Sequence, residues 1–403
     1  MFDFSKYQEV ELKRWRPFKA TDFQSLMYPC FICSHILGIF PYKINASTFE
    51  MSKLRYILST VVICVVCACG LMVFSDINIS GETDFNHMSM TFENTCFYIL
   101  HSFIIIITCI LSGPRMRLLQ TIMDVSSKLP LDTYKKLSKL IHAKDIFGFF
   151  FHLVILMLFY NKFIFNLVEE LYTIYVSLVV FQMDMLYLNC VCILTACFKN
   201  INNNLVNLQE AVVKDVPHLF SQTYQRNLFL LMEIKILKKQ HLIISDTVQM
   251  LNLAFSMQLF ATMVITFFEI TFTLYFYISE WPDFIKGLKD FQNWSFLLYV
   301  IIYQILKIFL IVWACEIGKN RALEIGTNIH VVSNSINDEK VKNELQLFSL
   351  QILHCKNIFS TKGFNINATL VTTIIGNITT YVLILIQFLL MFNDCNGKST
   401  NYT

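Results

Sequence analysis

Long apolar runs separated by polar, charged connections dominate this chain. An α-helix rises 1.5 Å per residue, so about 20 apolar residues are needed to cross a ~30 Å hydrocarbon core. Seven segments fit that requirement, at residues 56–74, 95–111, 146–165, 172–198, 250–278, 294–315 and 370–391. The pattern predicts an all-α membrane protein with seven transmembrane helices. The fourth and fifth segments exceed the bilayer and are expected to tilt or to project into the cytoplasm. A shorter apolar stretch, 26–40, has Pro29 near its start and Pro41 just past its end. It is too short to span and reads as an interfacial or re-entrant segment.

The connections are not uniformly polar. Residues 206–241 carry Leu208, Val212, Leu228, Leu231, Ile234 and Leu237 at helical spacing among charges. They read as extensions of the fourth and fifth helices. Val341, Leu345, Phe348 and Ile352 recur at i, i+4, i+7 and i+11, giving one apolar face to a helix ahead of the last span. Such a face must pack within the bundle or between subunits.

Composition agrees with a membrane protein. Apolar residues make up 55% and charged residues 15% of the 403 positions, against about 25% charged in soluble domains. The charge distribution sets orientation. Over alternate connections, 27 Lys and Arg fall on one side and 4 on the other, with Lys307 inside the sixth span. The N-terminus is therefore expected in the cytoplasm and the C-terminus outside, opposite to a G-protein-coupled receptor. No cleavable signal pattern opens the chain, because Lys6, Lys13, Arg14, Arg16 and Lys19 interrupt it, so the first span is expected to act as an uncleaved anchor. The sequons at Asn78 and Asn293 fall outside and are the candidate glycosylation sites, as does Asn401; those at Asn45 and Asn367 fall inside, and Asn377 lies within the last span.

The last span reads Thr380-Tyr381-Val-Leu-Ile-Leu-Ile-Gln387-Phe388. This resembles the signature of insect gustatory receptors: Thr-Tyr, five hydrophobic residues, Gln-Phe. Gly363-Phe364 and Asn367-Ala-Thr369-Leu370 ahead of it are also similar to the family, with a spacing one residue short. So is Leu251-Asn252-x-x-Phe255-Ser256-x-Gln258 at the start of the fifth span. The resemblance implies a homotetrameric, ligand-gated, nonselective cation channel in the plasma membrane. Its last helix would line the pore and its ligand pocket would lie in the outer half of each subunit. A division follows: a cytoplasmic N-terminal segment (1–55), helices 1–6 with the pocket (56–315), a cytoplasmic anchor helix (316–369), and the pore helix with a short extracellular tail (370–403). The tastant would be a sugar, an amino acid or a bitter compound. Assembly with other gustatory receptors, as an accessory subunit, is a second reading. A metabotropic receptor would need the opposite orientation. A secondary transporter would need internal repeats and broken helices, which the sequence lacks.

Candidate functional residues follow. Thr380, Ile384, Gln387 and Met391 share one helical face, with Phe388 beside them. Four symmetry-related Gln387 amides would form a neutral polar ring for a hydrated cation, with an apolar ring beside it closing the path by dewetting. A glutamine hydrogen-bonded between helices would give the same sequence. Tyr381 is expected to pack on a neighbouring helix. Ionisable groups inside spans are costly and mark functional or paired positions. Asp184 and Glu269 are therefore candidate ligand contacts, together with Tyr160, Tyr275, Tyr299 and Tyr303. The alternative for Asp184 is a buried pair with Lys307. Glu169 and Glu170 sit at the outer mouth, either as a solvated interface or as a cation-attracting vestibule.

Nothing in the sequence carries enzymatic chemistry: there is no phosphate-binding glycine loop, nucleophile motif or paired histidine set. Cys30-x-x-Cys33 and Cys64-x-x-Cys67 have metal spacing but lie in apolar runs without a matching partner set. No cofactor, metal or nucleic-acid partner is expected.

Overall fold

A computed structural model describes residues 16–45, 48–79, 85–160, 167–214, 220–279 and 291–399. Its helices are α1 (Phe23–Ile36), α2 (Lys53–Ile79), α3 (Phe85–Ile110), α4 (Ser112–Ser126), α5 (Leu131–Tyr160), α6 (Leu167–Lys214), α7 (Phe220–Ser279), α8 (Phe291–Asn334), α9 (Glu339–His354) and α10 (Ala368–Ser399). Two antiparallel hairpins complete it, β1–β2 (Tyr42–Asn45 with Thr48–Met51) and β3–β4 (Ser360–Thr361 with Phe364–Asn365).

Six of the described helices are long and apolar enough to cross a membrane: α2, α3, α6, α7, α8 and α10. The expected third span begins inside α5, and its last residues, 161–165, lie outside the described residues. The chain is a seven-transmembrane all-α protein. At 48 and 44 residues, α6 and α8 are more than twice the ~20 residues a bilayer demands, and α7 at 60 residues is about three times that length. The sequence predicts this excess for α6 and α7, whereas the continuation of α8 beyond residue 315 is longer than the sixth apolar segment indicates.

The bundle is organised around α6. In its apolar stretch 89% of residues are buried, against 11% in α10. α6 packs on α8 along much of its length, and on α5 and α7. Gly318 permits the closest approach. A Cβ there would stand 2.7 Å from the Phe359 ring and 2.8 Å from Thr195 Oγ1. Phe359, itself buried, wedges between α6 and α8 just before β3.

Most of the stretch 26–40 lies in α1, a helix with one buried face and Tyr28, Ile32 and Ile36 exposed on the other. Asp22 caps α1 by accepting from Ser25 N–H at 2.8 Å, while Ser25 Oγ accepts from Asp22 N–H at 3.1 Å. Pro29 lies inside α1 and has no N–H, so it cannot donate to the Ser25 carbonyl one turn back. His142 of α5 supplies the missing donor: its Nε2 reaches Ser25 O at 3.1 Å and Leu26 O at 3.0 Å. Its Nδ1 accepts from the N–H of Phe18, a residue at φ 61°. The ring is thus a neutral Nε2–H tautomer, and burial pushes its pKa down from the ordinary imidazole value.

The stripe of α9 is used within the subunit. Val341, Leu345 and Phe348 are buried against α7 and α8, and Ile352 packs at the edge. Full burial of a side chain such as Phe348 stabilises by about 1.5–3 kcal/mol. Asp338 caps the helix from the backbone N–H groups of Lys340 and Val341 at 3.0 Å each. Lys238 of α7 pairs with Glu344, and Gln351 donates to Lys238 O at 3.0 Å.

Candidate functional site

The polar residues of α7 form a ladder facing the bundle interior. Gln258, Thr262, Thr266 and Glu269 recur every three or four residues, so they fall on one side of the helix over about 16 Å of rise. Each meets a partner on another helix. Gln258 Nε2 and Thr262 Oγ1 both donate to Asp184 Oδ1 of α6, at 3.0 Å each. Thr266 Oγ1 donates to Gln304 Oε1 of α8 at 3.2 Å, and the Gln304 amide donates to Glu269. Glu93 of α3 lies within electrostatic reach of Glu269.

Asp184 is fully buried, and its second oxygen, Oδ2, stands 3.9 Å from Lys307 Nζ with no hydrogen bond. That separation is an ion pair held apart rather than a charge-assisted hydrogen bond. Lys307 Nζ also sits 5.5 Å from the centre of the Tyr303 ring. Tyr303 stacks on His152 of α5 at 4.7 Å and on Tyr299 at 6.0 Å, and the Tyr299 hydroxyl lies 3.4 Å from His152 Nδ1. The structure thereby brings Asp184, Lys307, Tyr299 and Tyr303 into one group, with Glu269 joined through Gln304. Tyr275 is buried apart from them, against Phe276. Tyr160 ends α5, and its side chain lies outside the described residues. His152, Thr262, Thr266 and Gln304 belong to the network without having stood out in the sequence, and Gln258 had stood out only within the family-like motif of α7. The i, i+4, i+8 spacing of Gln258, Thr262 and Thr266 inside an apolar run was the available signal.

α10 presents two opposite faces. Ile374, Ile378, Val382 and Ile386 pack with Ile270, Phe267 and Leu274 of α7. At about 100° per residue, the face carrying Thr380, Ile384, Gln387 and Met391 points roughly 180° away from that packing. All four are exposed in the subunit, as is Phe388. Thr369, Thr373, Gly376 and Asn377 continue the exposed face toward the start of α10. The hydroxyls of Thr373 and Thr380 donate to carbonyls one turn back, at 2.9 and 3.0 Å, so their oxygen lone pairs remain outward. Tyr381 packs edge-on against Phe267 at 5.6 Å.

Between the interior ladder and α10 lies a clamp. Asn252 Nδ2 donates to Ile358 O at 2.7 Å, and its Oδ1 accepts from Ser360 N–H at 3.2 Å. One turn on, Ser256 O accepts from Thr361 Oγ1 at 2.8 Å. Asn252, Ser256 and Gln258, all within one short motif of α7, thus hold the strand before α10 and the base of the ladder.

Of the remaining candidates, Glu169 and Glu170 lie in the first turn of α6, where carboxylates suit the helix dipole, and Glu169 accepts from Tyr98 Oη at 3.1 Å. Asn78 and Asn293 sit in the end turns of α2 and α8, with side chains outside the described residues. Among the described residues no group of three His, Cys, Asp or Glu could hold a metal ion.

Comparison with known proteins places these features in context. The model of the 7tm Chemosensory receptor family matches residues 27–392. The Drosophila melanogaster protein named gustatory receptor 28b is 33% identical over 153 residues, which is 37% of this chain and 32% of that protein. Gustatory receptor 28a of the same species is 31% identical over 175 residues, 42% of this chain and 38% of the relative. The aligned region thus spans about a third of the length of these relatives. Among solved structures, the insect olfactory receptor OR5 from Machilis hrabei in complex with eugenol superposes with a TM-score of 0.67 at 12% identity, covering 90% of this chain and 97% of that one. A second structure of the same receptor gives a TM-score of 0.66 at 12% identity, over 91% and 98%.

Proposed function

Because the chain belongs to the 7tm chemosensory receptor family, we propose that it is a gustatory receptor acting as a ligand-gated, nonselective cation channel. A small tastant or nutrient, whether sugar, amino acid or bitter compound, opens it. It works in the plasma membrane as a homotetramer with its N-terminus cytoplasmic. The reading rests on one observation above all: α10 turns its polar, small-residue face directly away from its own subunit. Lipid is a poor neighbour for the amides of Asn377 and Gln387, which need polar partners in a hydrocarbon core, while Thr373 and Thr380 donate within their own helix and offer outward lone pairs. A central water-filled path shared by four subunits supplies them. Gln387 forms the polar ring there, and Ile384, Phe388 and Met391 supply apolar girdles that close by dewetting.

The ligand contacts are Asp184 and Glu269 with Tyr299 and Tyr303. A carboxylate held 3.9 Å from its lysine has one oxygen without a hydrogen bond, and that oxygen can accept from a polar or ammonium-bearing ligand while the ion pair stays in place. Movement of α7 then reaches α10 through Asn252 and the β3–β4 hairpin.

Excised-patch recording from cells expressing this chain alone, without GTP, tests the proposal against sugars, amino acids and bitter compounds. A ligand-evoked cation current whose permeability ratios change in Gln387→Ala supports it. A current present in intact cells and lost in the GTP-free patch overturns it. Current that appears only on co-expression with another receptor would make the chain an accessory subunit.

A further inference from the structure

Arg115 is a buried cation that pairs directly with no carboxylate among the described residues. It opens into α4 one turn past the α3–α4 junction and is 4% exposed. Nε donates to Ala254 O at 3.2 Å, Nη2 donates to Gln258 Oε1 at 3.1 Å, and the guanidinium carbon lies 4.7 Å from the centre of the Phe255 ring. Those partners are all neutral. Among the described residues no carboxylate comes within ion-pair distance of it. Burial brings its pKa down to about 9, which leaves it charged at neutral pH. A buried charge left without a counter-charge is strongly destabilising.

The third nitrogen, Nη1, is buried without a partner, and so is the hydroxyl of Thr108, one helical turn before the junction. Arg115 and Thr108 line the same small cavity, about 20 Å³, together with the hydroxyl-bearing Ser34 of α1 and Ser112 of α4. Met183, Leu186 and Phe40 close its other sides. A space of ~10–15 Å³ suffices for one water-sized occupant, so the cavity takes a single small species and excludes an organic acid. Two orphaned donors, the Ser112 hydroxyl and a positive charge without an ion-pair partner line it, whereas the Ser34 hydroxyl is already committed to Cys30 O at 2.8 Å.

We propose that this cavity is a binding site for one small monovalent anion of the halide class, which neutralises Arg115 and accepts hydrogen bonds from its Nη1 and from Thr108. The anion bonds to both sides of the α3–α4 junction, through Thr108 and Arg115, and packs against lining residues of α1 and α6. Through Gln258 it also fixes the base of the polar ladder, since the Gln258 amide bridges Arg115 and Asp184. The site is independent of the channel reading and would stand if that reading failed.

The test is thermal unfolding of the full-length protein in detergent, at constant sodium and ionic strength, with chloride or bromide replacing gluconate. Chloride and bromide should raise the melting temperature in a saturable manner. Thr108→Val removes one hydroxyl and should shift the midpoint of the chloride titration roughly tenfold higher, the effect of one lost hydrogen bond to a charged group. Arg115→Met should abolish the response altogether. Arg115→Lys guards against simple misfolding, because it keeps the charge and should retain a weakened response. Equal melting in all three anions would show that water alone fills the cavity and would overturn the proposal. So would a chloride response unchanged in both Thr108→Val and Arg115→Met.

Discussion

Replacing Asn252 with alanine removes both hydrogen bonds that fix the approach to α10, one to Ile358 O and one from Ser360 N–H. Each contributes about 0.5–1.5 kcal/mol net, so local opening of this segment should become easier by roughly 1–3 kcal/mol. A factor of ten accompanies each ~1.4 kcal/mol, which makes the opened population roughly 5–150 times larger. The bond from Thr361 to Ser256 O survives the change, so the lower part of that range is expected. Hydrogen–deuterium exchange of the full-length protein measures it directly, because amide exchange reports local opening free energies. Peptides covering residues 356–366 should exchange faster while peptides from the buried centre of α6 keep their wild-type rates. Asn252→Asp retains the acceptor for Ser360 N–H and loses the donor to Ile358, so it should fall between wild type and alanine. If 356–366 exchanges at the wild-type rate in Asn252→Ala, or if α6 accelerates equally, the clamp is not what holds this strand.

Three further outcomes are expected. Gly318→Ala forces a methyl against Phe359 and Thr195 Oγ1 and should cost roughly 1–3 kcal/mol; Phe359→Leu in the same chain should restore part of the lost melting temperature. Asp184→Asn and Lys307→Met singly should each destabilise by about 3–5 kcal/mol, since each leaves a buried partner charge, whereas the double variant should recover most of the loss in thermal melts. His142 folds as a neutral ring with a lowered pKa, so its stabilisation is full above the unfolded imidazole value of 6.5 and is lost as pH falls through the lower folded value. Melting temperature should therefore drop with acidification below about 6.5, the ordinary imidazole pKa. A His142→Gln chain, which keeps a donor toward Ser25 O, should show a flatter profile over that range.

The ladder was partly legible before the structure. Asp184, Glu269 and Lys307 stand out because an ionisable residue in an apolar run needs an explanation. Their partners did not stand out, since threonine, glutamine and tyrosine occur in spans for many reasons. The motif around Asn252 and Gln258 carried a family resemblance. Its physical work, gripping the strand before α10 and bridging Arg115 to Asp184, depends on residues 74 to 143 positions away.

By itself the sequence determined the seven-helix architecture, the long continuations of α6 and α7 and the apolar stripe of α9. Those features follow from local periodicity and from the length a bilayer demands, both of which are written along the chain. It also determined that Thr380, Ile384, Gln387 and Met391 share a face, because helical spacing alone fixes that. Only the tertiary structure decided that this face points away from α7, that α1 is a half-buried helix mended by His142 at its proline, and that Arg115 stands beside a small cavity with no carboxylate to pair with. Each of these is a relation between distant segments. Helical periodicity says which residues share a side, whereas packing decides what that side meets.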